Sequence, residues 1–458
     1  LIQATTAQLR RQHAAARWTT RLSARWITAE HYGAFLLFAM LLYSMTAIPS
    51  FNRDITLDTD YVSPLNRWIW IALLGMALPL WRSRGRVVLA MALRAWPLLL
   101  LFGYFALTTT WALDPSASRR RLGFTFLQFL LLLLVLAPIQ RGRLVPVAVA
   151  AACFTVALGD IATWVVMPGF AMTDEGFAGF QTQKNQTGLM MMYGALAAGT
   201  GWFLPAQGGR ARGIWAGAWA GMLLVMLALL ALSRSTTSQA VVLASPALMF
   251  AVLVLTRLSD RSLVAVISSC IAVLALTVFL YFAACAVTAT DPWLPLRGVT
   301  FTERIDIWKF IVDEIKKRPW LGAGYGSFWA INPAVQPSLQ RPTWFSIYTI
   351  INEGHDGYLD LLAFGGVVGF VGALTVLLHS FGKAFRALQQ PDTVRRPRAV
   401  ALFHMAFLLG LLIHNGTESN LFTNQGVLAI ALMLCILDLN RWAAPPVKLS
   451  YRDRRGGA

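Results

Sequence analysis

Three residues of this chain pair reactive side chains with neighbours suited to anion binding or proton transfer: Arg234, Arg304 and His355. Arg304 falls in the first turn of an amphipathic helix expected to start near Thr300, which has capping-box spacing to Glu303. Ile305, Trp308, Val312 and Ile315 recur near helical spacing, Lys316, Lys317 and Arg318 suit the C-terminal end, and Pro319 is a stop. A cation in a first turn opposes the helix dipole. It stands, however, among free amides that attract anions, so the pair makes a phosphate site. Arg234 interrupts an apolar tract from Ile214 to Thr256, inside Ser233-Arg234-Ser235-Thr236-Thr237-Ser238. It reads either as a snorkelling interfacial arginine or as a cation turned inward to hold an anion among hydroxyls. His355 follows Glu353 and precedes Asp356 and Asp360, which share a helix face. Those carboxylates would raise the basicity of the imidazole, as a general base requires; a packed histidine is the plainer reading.

Other polar groups sit at the edges of apolar segments. Arg119, Arg120 and Arg121 follow Trp111-Ala112-Leu113-Asp114-Pro115 and reach either a substrate or lipid headgroups. Lys184 and Asn185, in Phe180-Gln181-Thr182-Gln183-Lys184-Asn185-Gln186-Thr187-Gly188, form a polar entry or a plain segment boundary. Glu418 lies in His414-Asn415-Gly416-Thr417-Glu418-Ser419-Asn420. Asp58-Thr59-Asp60 has the hard oxygen ligands a divalent cation takes, but three residues are a weak pattern, and no metal or cofactor is expected. Cys153, Cys270, Cys285 and Cys435 are too dispersed for a metal site and poorly placed for disulfides.

The elements that carry these groups follow from composition. With 57% hydrophobic and only 13% charged residues, the chain is too apolar for a soluble domain. Its apolar blocks approach the roughly 20 residues that span a bilayer. The net charge of +18 could suggest nucleic acid, but the arginines cluster between apolar segments, where topology explains them. The expected fold is all-α, a polytopic membrane protein of about twelve transmembrane helices. They are placed near 33–49, 67–81, 96–110, 122–139, 145–166, 186–205, 214–232, 236–256, 263–286, 355–379, 400–415 and 424–440. Residues 1–32 read as a basic cytoplasmic lead-in rather than a cleaved signal, 33–286 as nine spans and 287–354 as one long outer loop. Residues 355–440 then hold three spans and 441–458 a basic cytoplasmic tail. An even count puts both termini inside, with most Lys and Arg, and leaves Arg234, Arg304 and His355 outside. No internal repeat is visible.

Several short segments, in order, resemble the O-antigen ligase and polysaccharide polymerase superfamily of bacterial membrane glycosyltransferases. They are Trp111-x-x-Asp114-Pro115 followed by Ser118 and Arg119/Arg120; Lys184-Asn185-x-x-Gly188; Ser233-Arg234-Ser235; Arg304-x-x-x-Trp308; Pro319-Trp320-Leu321-Gly322-x-Gly324-x-Gly326; His355-x-x-x-Leu359; and Glu418-Ser419. One departure is Asp356, where the family usually has asparagine. The resemblance implies a GT-C-like fold in the bacterial inner membrane, with its site facing the periplasm. The donor would be an undecaprenyl diphosphate-linked glycan, and the acceptor a glycan or lipid-linked sugar. Membrane lipid surrounds the protein, polysaccharide-export proteins are partners, and nucleic acid is not. The family's essential arginines fall on Arg234 and Arg304 and its histidine on His355. Arg119, Arg120, Lys184, Asn185, Asp356, Asp360, Glu418 and Trp308 would contact substrate, with packing a second role for Trp308. The wording around residues 301–308, 321–329 and 355–362 is closest to exopolysaccharide polymerases. A ligase that adds glycan to lipid A core is the first alternative, and a lipid-glycan transporter the second. A transporter would show inverted repeats and broken helices, and neither is expected here.

Overall fold

The computed structural model describes residues 29–46, 64–204, 210–259, scattered positions and short runs between 262 and 290, then 304–347, 351–393, 397–423 and 426–442. The expected lead-in, the Asp58-Thr59-Asp60 pattern, the Thr300/Glu303 cap, most of the expected ninth span and the basic tail lie outside the described residues.

The described chain is helical. In order it forms α1 (29–46), α2 (Pro64–Arg94), α3 (Trp96–Thr108), α4 (Pro115–Leu136) and α5 (Leu144–Val166). Then come α6 (Lys184–Gly201), α7 (Arg210–Ser233), α8 (Thr236–Leu255), α9 (Arg304–Lys317), α10 (Gly357–Gln389), α11 (Arg398–His414) and α12 (Val427–Trp442). A two-stranded hairpin, β1 (Met172–Thr173) with β2 (Gly176–Phe177), stands between α5 and α6. Among the described residues, α5, α7 from Gly213, α8 and α10 are long and apolar enough to cross a membrane. The bent pair α2–α3 makes a fifth if it is one span, and α11 is apolar but shorter. The expected count of about twelve spans is therefore not established by length and composition.

Burial also differs among the apolar helices. In α4 every residue from Leu131 to Leu136 is buried, and in α12 so is every residue from Val427 to Leu437. A helix that is apolar all round and buried all round belongs to the interior. By contrast α7 and α8 expose Leu224, Leu243 and Phe250 on the rim of the bundle. Residues 82–86, expected as a loop, are helical, because α2 runs unbroken for 31 residues and turns by 75° only at Ala95. Apolar Trp96 and Pro97 open α3 there.

Helix α9 buries Ile307, Phe310 and Ile311, while Val312 is exposed. The buried face is thus rotated from the expected stripe, because Phe310 and Ile311 outweigh Ile305 and Val312 against α10. After Pro319 the chain folds into a loop that plugs a break in α10. Gly366 has φ 61 there, and the helical ladder is interrupted. The amides of Ala323 and Gly324 donate to the carbonyls of Ala363 and Phe364 at 2.8 and 2.9 Å, and those of Val367 and Val368 donate to Pro319 and Trp320. The loop supplies the partners that the broken helix lacks. Gly322 and Gly324, at φ 66 and 95, allow this approach. The sequence expectation of no broken helix is corrected here, although the break is filled by the chain itself.

The loop is also tied to the 108–121 region. Ser118 Oγ donates to the Tyr325 carbonyl at 2.7 Å, and Tyr325 N donates to Thr108 Oγ1 at 2.9 Å. Arg121 donates to the carbonyls of Gly326, Trp329 and Ala330. Orientation is testable with single cysteines at exposed Ala334 and Gln390, before and after α10. An impermeant thiol reagent added to intact cells is expected to label position 334 only. Labelling of both positions would remove α10 as a span.

Candidate functional site

Four segments distant in sequence meet at the N-terminal end of α10. Glu418, in the turn between α11 and α12, is the hub. Its Oε1 accepts from Arg304 Nη2 at 3.2 Å and from Asn185 Nδ2 at 3.1 Å. Its Oε2 lies 3.5 Å from His355 Nδ1, which is also 3.4 Å from Glu353 Oε1. Arg304 donates further to the Thr417 carbonyl. The Arg304–Glu418 pair is largely removed from water, with side chains 17% and 12% exposed. A charge pair this buried depends on further hydrogen bonds to offset desolvation, and Asn185 and Thr417 supply them.

His355 is held by its neighbours rather than by its own bonds. The Gly354 amide donates to Asp360 Oδ2 at 2.9 Å, and Trp308 Nε1 donates to the Gly354 carbonyl at 3.0 Å. Asp360 Oδ1 accepts from Trp329 Nε1 at 2.7 Å. Asp356 caps α10, accepting from the amides of Tyr358 and Leu359 at 2.9 Å. Gly357 N donates to the carbonyls of Asn415 and Glu418, which ties this turn to the hub. His355 itself has φ 51, and Arg234 has φ 53. For residues with a Cβ this conformation costs of order 1–3 kcal/mol and persists only where surrounding contacts impose it, most often at functional sites.

The electrostatics follow from this geometry. Burial opposes the imidazolium, but the nearby carboxylates of Glu418 and Glu353 outweigh it, so the His355 pKa is raised. Burial also opposes the Glu418 carboxylate, yet His355 and Arg304 hold its pKa below the ordinary value. Glu353 is pushed up, first by desolvation, with His355 opposing and Glu418 and Asp360 adding. Its side chain is 40% exposed, so water screens part of that push. The three groups titrate as a unit. Glu353, His355 and Glu418 also place one ligand atom each within 4.8 Å of one another, a set able to hold a divalent cation. Arg304 and Asn185 already occupy one Glu418 oxygen, which weakens that use.

The sequence-nominated residues divide by their contacts. Arg304, His355, Glu418 and Asn185 converge. Arg234 joins the same neighbourhood through its turn: Thr237 and Thr417 hydroxyls lie 2.7 Å apart, and Ser238 Oγ is 3.4 Å from His414 Nε2. The Arg234 side chain is exposed and has no hydrogen bond or ion pair among the described residues. Lys184 contacts Glu175, by its carbonyl at 3.3 Å and its carboxylate at 3.6 Å. Trp308, Asp356 and Asp360 make internal bonds that shape the His355 turn. Arg119 and Arg120 are exposed on α4. The Asn185–Glu418 bond joins residues 233 positions apart, and no local pattern announces it.

Residues 221–374 match the family model described as O-antigen ligase. The match covers Arg234, Arg304 and His355 but neither Asn185 nor Glu418. The comparison with curated proteins gave no match. The apolar helices and this match together support a membrane protein. The match over residues 221–374 supports a likeness of this chain to the O-antigen ligase and polysaccharide polymerase superfamily.

Proposed function

We propose that the chain is an inverting glycosyltransferase of the bacterial inner membrane, with both termini cytoplasmic and the cluster facing the periplasm. It takes glycan from undecaprenyl diphosphate and joins repeat units into exopolysaccharide or O-antigen. The observation that carries this reading is the convergence of Arg304, His355, Glu418 and Asn185 beside the Arg234 turn. Arg304 uses two of its five N–H donors on Glu418 and Thr417, leaving others for a diphosphate oxygen. Arg234 offers a free guanidinium from the neighbouring turn. Glu418 faces His355 Nδ1, keeps the proton there, and leaves Nε2 to accept one. An acceptor hydroxyl oxygen attacks the anomeric carbon as the bond to diphosphate breaks. Its proton passes to His355, and the lipid diphosphate departs with the electron pair into the arginines.

Metal ions have no part in this scheme. Purified protein given lipid-linked repeat units is expected to lengthen them equally well with or without a chelator such as EDTA. Loss of product in EDTA, restored by magnesium or manganese, would move the chemistry to the Glu353–His355–Glu418 triad acting as ligands.

The pH dependence has a definite sign. A base must be unprotonated, and the His355 pKa is raised, so transfer is expected to climb with pH through an apparent value above the ordinary 6.5 or so. Glu418→Gln removes a charge that raises it, and the rising limb should move to lower pH. A limb that stays in place would separate Glu418 from the base.

The ligase reading has its own support, because the matching family model is described as O-antigen ligase. Deletion in the host decides between them. A lost polymerase leaves single repeat units, whereas a lost ligase leaves free lipid A core with polymer still on its carrier.

A further inference from the structure

Beside the cluster, an open pocket of about 430 Å³ lies between the hairpin and the start of α6. Its walls are Thr173, Asp174, Glu175, Thr182, Gln183 and Lys184, and it ends on Asn185, the residue that bonds Glu418. The volume falls within the roughly 300–1,000 Å³ of small-molecule sites.

The walls are preformed. Thr173 Oγ1 donates to the Gly176 carbonyl at 2.7 Å, and Lys184 spans the gap to Glu175. Beneath them, Thr187 Oγ1 donates to the Ala178 carbonyl at 2.7 Å, and buried Asp160 accepts from Phe180 N at 3.1 Å. The hairpin also abuts the Arg234 turn: a Cβ on Gly176 would lie 2.5 Å from the Ser233 carbonyl oxygen and 3.3 Å from Arg234 Cβ. The hairpin that forms one wall thus touches the Arg234 turn, and the lining ends on Asn185, which bonds Glu418.

Its chemistry differs from that of its flanks. Two carboxylates face one ammonium, so an excess negative charge disfavours a diphosphate, which the arginines attract. The lining is dense in both acceptors and donors: carboxylates, amides, hydroxyls and one ammonium. That mixture suits a ligand with several hydroxyls on one edge. We propose that this pocket is a glycan subsite, holding the sugar next to the transfer point while the arginines hold the diphosphate. The proposal rests on the glycosyl-transfer reading.

Asp174 and Gln183 are exposed, and neither side chain has a hydrogen bond or ion pair among the described residues, so Asp174→Asn and Gln183→Ala should leave the fold intact. The probe is oligosaccharide released from the host's own surface polysaccharide by partial acid hydrolysis. The purified full chain should bind it, and the double variant should bind it about tenfold more weakly, the loss expected for one charge-assisted hydrogen bond. In steady-state transfer the double variant should raise one KM about tenfold with kcat held within twofold. A rise for the acceptor assigns the pocket to acceptor sugar, and a rise for the lipid-linked donor assigns it to donor sugar. Unchanged oligosaccharide affinity together with unchanged KM for both substrates overturns the subsite. If the wild type binds oligosaccharide, the double variant loses it and no transfer occurs under any condition, the subsite stands and the transfer reading fails.

Discussion

Arg304→Lys is expected to slow single-turnover transfer about a hundred- to thousand-fold, equivalent to about 2.7–4 kcal/mol of barrier. Lysine keeps one positive charge near Glu418 but cannot reproduce a planar fork that serves Glu418, the Thr417 carbonyl and a diphosphate together. Arg234→Lys should fall in the same range. His355→Ala should behave differently, with transfer collapsing while the lipid-linked donor still binds, because the imidazole acts on the acceptor. Donor affinity measured beside single-turnover rate separates the roles. A His355→Ala protein that no longer binds donor, set beside an Arg304→Lys protein that binds and transfers normally, would falsify the assignment. Arg304→Ala is the poorer test. It strips one partner from a buried pair, which typically costs 3–5 kcal/mol of stability on its own.

Gly322→Ala is expected to unfold the region rather than tune it. Its φ of 66 is costly for alanine, and the new Cβ would sit 2.5 Å from Gly366 N and 2.6 Å from Phe364 C. Backbone lines that space, so no side chain can swing away. Strain of about 1–3 kcal/mol and overpacking of about 1–3 kcal/mol add to a loss of roughly 2–6 kcal/mol. The check is the thermal midpoint of the purified protein in detergent, alongside the Leu321→Ala protein at a half-exposed neighbour. Equal midpoints for wild type and Gly322→Ala would mean that the loop does not seat on the α10 break.

The placement of the helices was legible because apolar runs, prolines and arginine clusters are local signals. Segments expected near 96–110, 145–166, 236–256 and 400–415 coincide with α3, α5, α8 and α11. What local signals could not convey is who faces whom. Apolar α12 reads like a lipid-facing span, yet it is enclosed. Residues 82–86 read as a loop because they are rich in arginine, yet the backbone stays helical through them. In the site, charge and position singled out Arg234, Arg304, His355, Asn185 and Glu418 one at a time. That Glu418 gathers three of the others depends on tertiary contacts spanning up to 233 residues, which no periodicity encodes. Asp360 and Trp308 were nominated as substrate contacts, with packing a second role for Trp308, and in the structure both bond to Gly354 beside the histidine. Glycines 322 and 324 were noted as a motif, but their reason, a helix break several dozen residues later, is visible only in three dimensions.

The position of Glu418 also sets the order in which the protein becomes competent. During synthesis Asn185, Arg234, Arg304 and His355 all emerge before it. Until the turn at 415–420 is in place, Arg304 lacks both of its anchors and His355 lacks one of its two carboxylates. Contacts of such long sequence separation form late, since the closing loop must be ordered first. A nascent chain already inserted through α10 therefore has its arginines and histidine but not the bonds that align them.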